Sequence, residues 1–230
     1  MTQMQERNPE MKRTLSSDFQ PRYEPNFAWK SACSAHLALP GLRGFWPTSS
    51  FDENGDASDL SGQGRTMSYN GSGLYNFQSL APYIYLDGND YLERNDELGI
   101  RISATETYVA AAARGLSLGA WVRFDGAAAA VEQIIAKRDG AAAGDTAYLL
   151  YRTAGGALEL GISNGAAIET QASAEALAAT TWYHVAGKFD PSTEKAVFVN
   201  GNKTTAATAL ALLNITDFAN LQVGGRDDNA

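Results

Sequence analysis

The chain has one cysteine, Cys33, and two histidines, His36 and His184, in 230 residues. A single thiol cannot close an intramolecular disulfide, and it excludes a structural zinc site built on several thiolates. Cys33 is read as a small buried apolar residue. Positive charge is also scarce: 18 Lys and Arg stand against 26 Asp and Glu, for a net charge of −8. Binding to phosphate needs clustered basic groups, so no nucleic-acid partner is expected. No apolar run approaches the roughly 20 residues that cross a bilayer, and the polar N-terminus lacks the hydrophobic segment of a secretory signal peptide. Membrane insertion and export by that route are therefore not expected. No internal repeat is visible.

What the chain does have is a hydrophobic fraction of 44% and an aromatic fraction of 10%, enough to build a core. In the run Leu116 to Phe124, Leu116, Leu118, Ala120, Val122 and Phe124 alternate with Ser117, Gly119, Trp121 and Arg123. That two-residue period belongs to a strand with one face on a core. Trp182-Tyr183-His184-Val185-Ala186-Gly187-Lys188-Phe189-Asp190 answers it farther along, and shorter strand-like runs cover 133–137, 148–152, 158–163, 195–200 and 221–225. Short strands separated by Gly, Asp, Asn and Ala clusters predict an all-β sandwich or barrel. Asn200-Gly201 between two such runs is the strongest hairpin signal in the chain.

The organisation reads as an N-terminal extension, 1–40, and a single large domain, 41–230. Residues 1–22 are polar, carry Pro9 and Pro21 and show no sustained period, the composition of an arm that orders against a partner. Asn26 caps a predicted helix from Phe27 to Leu39, which Pro40-Gly41 stops. Its broad apolar face predicts packing on the sandwich or on another copy. Residues 1–30 carry net +1, so this end is the one suited to an acidic neighbour. The alanine runs at 127–130 and 141–143, flanked by glycines, are read as loops.

Six segments together resemble the laminin G-like members of the concanavalin A-like jelly rolls, the group that includes pentraxins: Leu118-Gly119-Ala120-Trp121-Val122, Ile134 to Asp139, Gly155 to Leu160, Trp182 to Ala186, Val197-Phe198-Val199-Asn200-Gly201 and Val223-Gly224-Gly225-Arg226. Upstream, Gly44-Phe45-Trp46-Pro47, Asp59-Leu60-Ser61-Gly62 and Leu86 to Leu92 resemble the opening strands of the same domain. The resemblance implies a concanavalin A-like jelly-roll β-sandwich over 41–230. With Tyr23 to Lys30 in front, the combination resembles phage-encoded proteins. Such domains usually continue past Val-Gly-Gly-Arg with one more strand. Either the natural chain continues beyond Ala230 or another segment or subunit fills that place. Trp121 and Trp182, in the two signature strands, are read as packing residues.

For catalysis, glucanases of this sandwich place carboxylates on one strand as Glu-x-Asp-x-x-Glu, close enough to act together. This chain has no such motif, and Asp52, Glu53, Glu93, Asp96 and Glu97 are read as solvated loop charges. His184 is read as a structural, hydrogen-bonded residue, and no Gly-x-Ser-x-Gly elbow accompanies either histidine. The resemblance also raises calcium, with Asp59, Asp87, Asp90, Asp139, Asp145, Asp190, Asp227 and Asp228 as candidate oxygens. No dense acidic array occurs, so no ligand set is assigned and no cofactor is expected. Sugar binding would draw on Tyr69, Tyr75, Tyr83, Tyr85 and Tyr91 among Asn70, Asn76, Asn89 and Asp90, although Tyr83 and Tyr85 read more simply as covering the core. The expected function is a non-catalytic virion decoration or appendage protein, made in the host cytoplasm and partnered through its arm with other copies or virion proteins. The alternative is a glycan-binding lectin module, with or without calcium. A glycoside hydrolase with an unfamiliar acid pair comes third.

Overall fold

The computed structural model describes residues 42–52, 54–71, 75–76, 83–86, 89–96, 115–210 and 219–225. The arm, the predicted helix and Cys33 lie outside the described residues. Apart from two 3-10 turns, Thr48–Ser50 and Ala143–Asp145, the ordered elements are strands: β1 Ser68–Asn70, β2 Tyr75–Asn76, β3 Tyr83–Ile84, β4 Tyr91–Arg94, β5 Leu116–Arg123, β6 Glu132–Arg138, β7 Thr146–Arg152, β8 Ala157–Ser163, β9 Ile168–Ala176, β10 Trp182–Asp190, β11 Glu194–Val199, β12 Asn202–Ala207 and β13 Leu221–Val223. The expected strands are present. β9 is an addition, since its polar sequence carries no apolar alternation.

The strands form a seven-stranded sheet in the order β1-β4-β13-β6-β7-β8-β9, a four-stranded sheet in the order β12-β11-β10-β5, and a β2-β3 ribbon. β13, late in sequence, lies antiparallel between β4 and β6. That crossover makes the sandwich a jelly roll. The larger sheet buries Leu92, Ile134, Tyr148, Leu150, Leu158, Leu160, Ile162 and Leu221, and the smaller sheet meets them with Val185, Phe189, Val197 and Val199. Each such side chain contributes about 1.5–3 kcal/mol. Gly187 leaves room for Leu160 of the facing sheet, because a Cβ there would sit 2.8 Å from Leu160 Cδ1.

Polar ties close the sandwich at its ends. Arg152 is fully buried; its guanidinium lies 3.8 Å from the Phe124 ring centroid, ion-pairs with Glu132 and donates to the carbonyls of Gly126 and Leu177. Lys195 joins the sheets through Glu169 at 2.7 Å, which holds that carboxyl below its usual pKa despite some desolvation. Lys137 lies 3.0 Å from Asp96, both side chains almost wholly buried. Asp96 is thus an interior ion-pair partner and not a solvated loop charge, because β13 and the Ala219 carbonyl, 2.6 Å from the Lys137 ammonium, close over the pair. The Asn200-Gly201 turn has φ of +49° and +87°, the primed geometry that the twist of β11 and β12 requires.

Candidate functional site

Alternation divides β5 and β10 cleanly. Leu116, Leu118, Ala120 and Val122 pack against the core, while Ser117, Gly119, Trp121 and Arg123 face outward. On β10, Val185, Gly187 and Phe189 are buried, and Trp182, His184, Ala186, Lys188 and Asp190 share the outer face. The antiparallel register sets Trp121 opposite His184 and Arg123 opposite Trp182. The four side chains make a checkerboard: two indoles on one diagonal, two cationic or hydrogen-bonding groups on the other.

Trp121 is 68% exposed and Trp182 is 43% exposed. The sequence reading of both as packing residues is corrected here, and the reason is phase: each falls in the outward register of its strand. His184 also departs from its reading as a hydrogen-bonded structural residue. Its exposed ring lies 5.4 Å from the Trp121 ring at an interplanar angle of 60°. Among the described residues, no hydrogen bond or ion pair engages the side chain of Trp121, Trp182 or His184. Asn200 continues the row, its Oδ1 accepting from the His184 backbone N–H at 2.9 Å and its own N–H donating to the His184 carbonyl at 2.8 Å. Tyr83 stands edge-on to Trp182 at 5.8 Å. Ile84, not its neighbours, packs on the core, and Tyr85 is 44% exposed. The tyrosines at 83 and 85 therefore do not cover the core.

Toward the other end of the same face the aromatics give way to Gly119 and Ala186, then to a charge network. Lys188 reaches Asp190 at 2.7 Å and Glu194 at 3.0 Å, and Glu194 also accepts from Lys203 at 2.7 Å and Thr205 at 2.9 Å. Hydrogen bonds from Lys203, Lys188 and Thr205 pull the Glu194 carboxyl down to a pKa of about 2. Asp190 and Glu194 hold the Lys188 ammonium above its ordinary value.

The outer face of the seven-stranded sheet is different. Glu93, Gln222, Ala136, Leu149, Gly161 and Thr170 form one row across β4 to β9, with Gln222 donating to Glu93 at 3.1 Å. In a neighbouring row the Tyr151 hydroxyl donates to Glu159; burial, then that carboxylate, pushes the phenol above its usual pKa. Among the described residues, this face has no indole.

A family model described as the concanavalin A-like lectin/glucanases superfamily matches residues 86–230. The chain belongs to the concanavalin A-like lectin/glucanase superfamily. No curated protein matches the sequence. Among solved structures, the concanavalin A-like sandwich is similar to the binding domain of botulinum neurotoxin serotype G (11% identity, TM-score 0.56, 76% of this chain and 41% of that one). It is also similar to the binding domain of Paraclostridial Mosquitocidal Protein 1 (12%, 0.53, 75% and 43%) and to the receptor-binding domain of the botulinum neurotoxin C/D mosaic serotype (14%, 0.53, 79% and 43%). At these identities the likeness is one of fold, and the chain spans about two fifths of those chains' length.

The remaining residues singled out on the superfamily sequence are scattered. Asp59 organises its own loop, accepting from the backbone N–H groups of Phe45, Ser61 and Arg65 and from the Ser61 hydroxyl. Desolvation opposes its charge, but these hydrogen bonds outweigh it and lower the pKa. Asp190 belongs to the lysine network, Asp90 is buried, and Asp139 and Asp145 bracket the 140–144 loop. Asp52 accepts from the N–H groups of Asn54 and Asp56. Among the described residues no three acidic, His or Cys side chains gather in a way that could hold a metal. Tyr69 packs on the core, Tyr91 on β4 is half-buried and Tyr75 is on β2. Asp87, Asp227, Asp228, Glu53, Glu97 and His36 lie outside the described residues.

Proposed function

We propose that this lectin-like domain is a non-catalytic recognition module that binds saccharide on the aromatic end of the four-stranded sheet. The observation that carries the reading is Trp121, 68% exposed in the middle of a strand. Water-facing indoles next to hydrogen-bonding groups match a pyranose, which has a CH-lined face and a rim of hydroxyls. Arg123, His184 and Asn200 supply those groups around the two indoles. A neighbouring fold supports the reading by analogy: cell entry of botulinum neurotoxin type C, to which this chain is similar in fold (10% identity, TM-score 0.50), is dependent upon interaction with two ganglioside molecules.

The non-catalytic part rests on spacing. Glu93 and Glu159, on the outer face of the larger sheet, are separated by β13, β6 and β7. Four strand intervals put them about 19 Å apart, beyond the reach of a paired acid and base. Asp190 and Glu194 do stand opposite each other, but both are held by Lys188, with Glu194 also accepting from Lys203 and Thr205. As the setting of the module we propose a virion appendage, assembled in the host cytoplasm through the 1–40 arm; that part rests on the resemblance to phage-encoded proteins.

A printed glycan array probed with the full chain and with Trp121→Ala tests the binding reading. Binding by the parent that falls at least tenfold in the variant is expected. Equal binding by both would move the site off this face.

A further inference from the structure

We infer that the aromatic end holds two consecutive sugar rings of a β-linked chain, one on each indole, rather than one terminal sugar. This rests on the saccharide reading above. Trp121 and Trp182 lie on neighbouring strands in successive rows, a diagonal with about 7–8 Å between residues. One pyranose covers one indole and stops short of the other. Two linked rings cover both, and the second diagonal then places Arg123 and His184 along the hydroxyl-bearing edges. The guanidinium brings several donors in a fixed plane, and its ion pair with Asp125 is loose at 3.8 Å, so it can turn to a hydroxyl.

The two ends of the path differ. At Trp182 the edge-on Tyr83 ring fixes the indole and bounds the path. Past Trp121 the next row is Gly119 opposite Ala186, with half-buried Phe198 beyond. This floor has almost no side chain above it, so a longer saccharide continues there until the Lys188 and Glu194 network. Blocking it is structurally mild: a Cβ on Gly119 would meet nothing nearer than the Val185 carbonyl at 3.5 Å.

Saccharide is favoured over a protein partner by area. The exposed parts of Trp121 and Trp182 amount to on the order of 250 Å², against the about 800 Å² per partner that a stable protein interface buries. The chemistry of ligand named is a β-1,4-linked chain of equatorially substituted pyranoses, whose ring faces are flat and CH-lined.

The test titrates the full chain with cello- and chito-oligosaccharides of one, two and four units, alongside the glycan array. The expected result is a rise in affinity of tenfold or more from one unit to two, lost in both Trp121→Ala and Trp182→Ala and partly kept in Trp121→Tyr. Gly119→Val then weakens the four-unit ligand and spares the two-unit one. Circular dichroism and thermal melts unchanged in each variant exclude misfolding. A single unit that binds as well as two, or array binding confined to terminal sugars with no dependence on length, overturns the two-ring inference and leaves the saccharide reading standing. No binding in the series or on the array overturns both.

Discussion

One face of the four-stranded sheet carries two ends that share β10, and they behave as opposites. At one end Lys188, Asp190, Glu194, Lys203 and Thr205 satisfy one another within 3.0 Å. At the other, Trp121 and Trp182 present apolar surface to water, with the His184 and Tyr83 rings and Arg123 beside them. A network that meets its own needs has little to offer a ligand, and exposed surface charge pairs add little to stability. Large exposed aromatics cost solvation free energy with no compensation inside the domain, which marks a binding surface. In the proposed reading, the binding end is the unsatisfied one.

The contrast can be broken or sharpened in a graded series. The largest effect comes from Arg152→Met, which removes a buried tie at the Phe124 end of the sandwich. It leaves the Leu177 and Gly126 carbonyls without their donor, and urea denaturation should register a loss of about 3 kcal/mol. Both ends should then fail together. Next, Trp121→Ala should cost tenfold or more in saccharide affinity, about 1.4 kcal/mol, while stability stays within about 0.5 kcal/mol because no cavity forms. A large fall in its melting temperature would show that the indole is packing after all.

Asn200→Gly keeps a residue suited to positive φ but removes the acceptor for the His184 N–H, so about 1 kcal/mol of stability should go. The smallest effect belongs to Glu194→Gln, and it depends on pH. Its hydrogen bonds hold the folded carboxyl at a pKa of about 2, against the ordinary 4.5 of the unfolded one. Its stabilisation is present above 4.5 and is lost as the pH falls toward 2. The variant should thus lose stability at neutral pH and show a flatter stability curve between those values, with saccharide affinity unchanged. A drop in affinity would mean that the charged end takes part in binding.

Much of the fold was legible because strand period is local. Every second residue of β5 and β10 announces its face, and Asn200-Gly201 announces its turn. β9 was not legible: Ile168 to Ala176 lies at the sheet edge, buries little and shows no apolar alternation. The site was half legible. Trp121 shares the outward phase with Ser117, Gly119 and Arg123, and Trp182 shares it with Lys188 and Asp190, so the alternation already excluded both from the core. Tryptophan is so often a core residue that its type argued against its phase, whereas the tyrosines, amphipathic by nature, fit an exposed site on type alone. Asp96 gave no such warning, because its burial depends on Lys137 and Ala219, remote in sequence.

By itself the sequence determined which segments are strands, which side of each faces the core and where the sharp hairpin lies, since these follow from near-neighbour sterics and a two-residue period. Only the tertiary structure decided that β13 inserts between β4 and β6, that Arg152 anchors one end of the sandwich, and that Trp121 stands across from His184 and diagonal to Trp182. Those outcomes depend on register between distant strands, which is selected by burial and hydrogen bonding summed over the whole sandwich and is written in no single stretch of the chain.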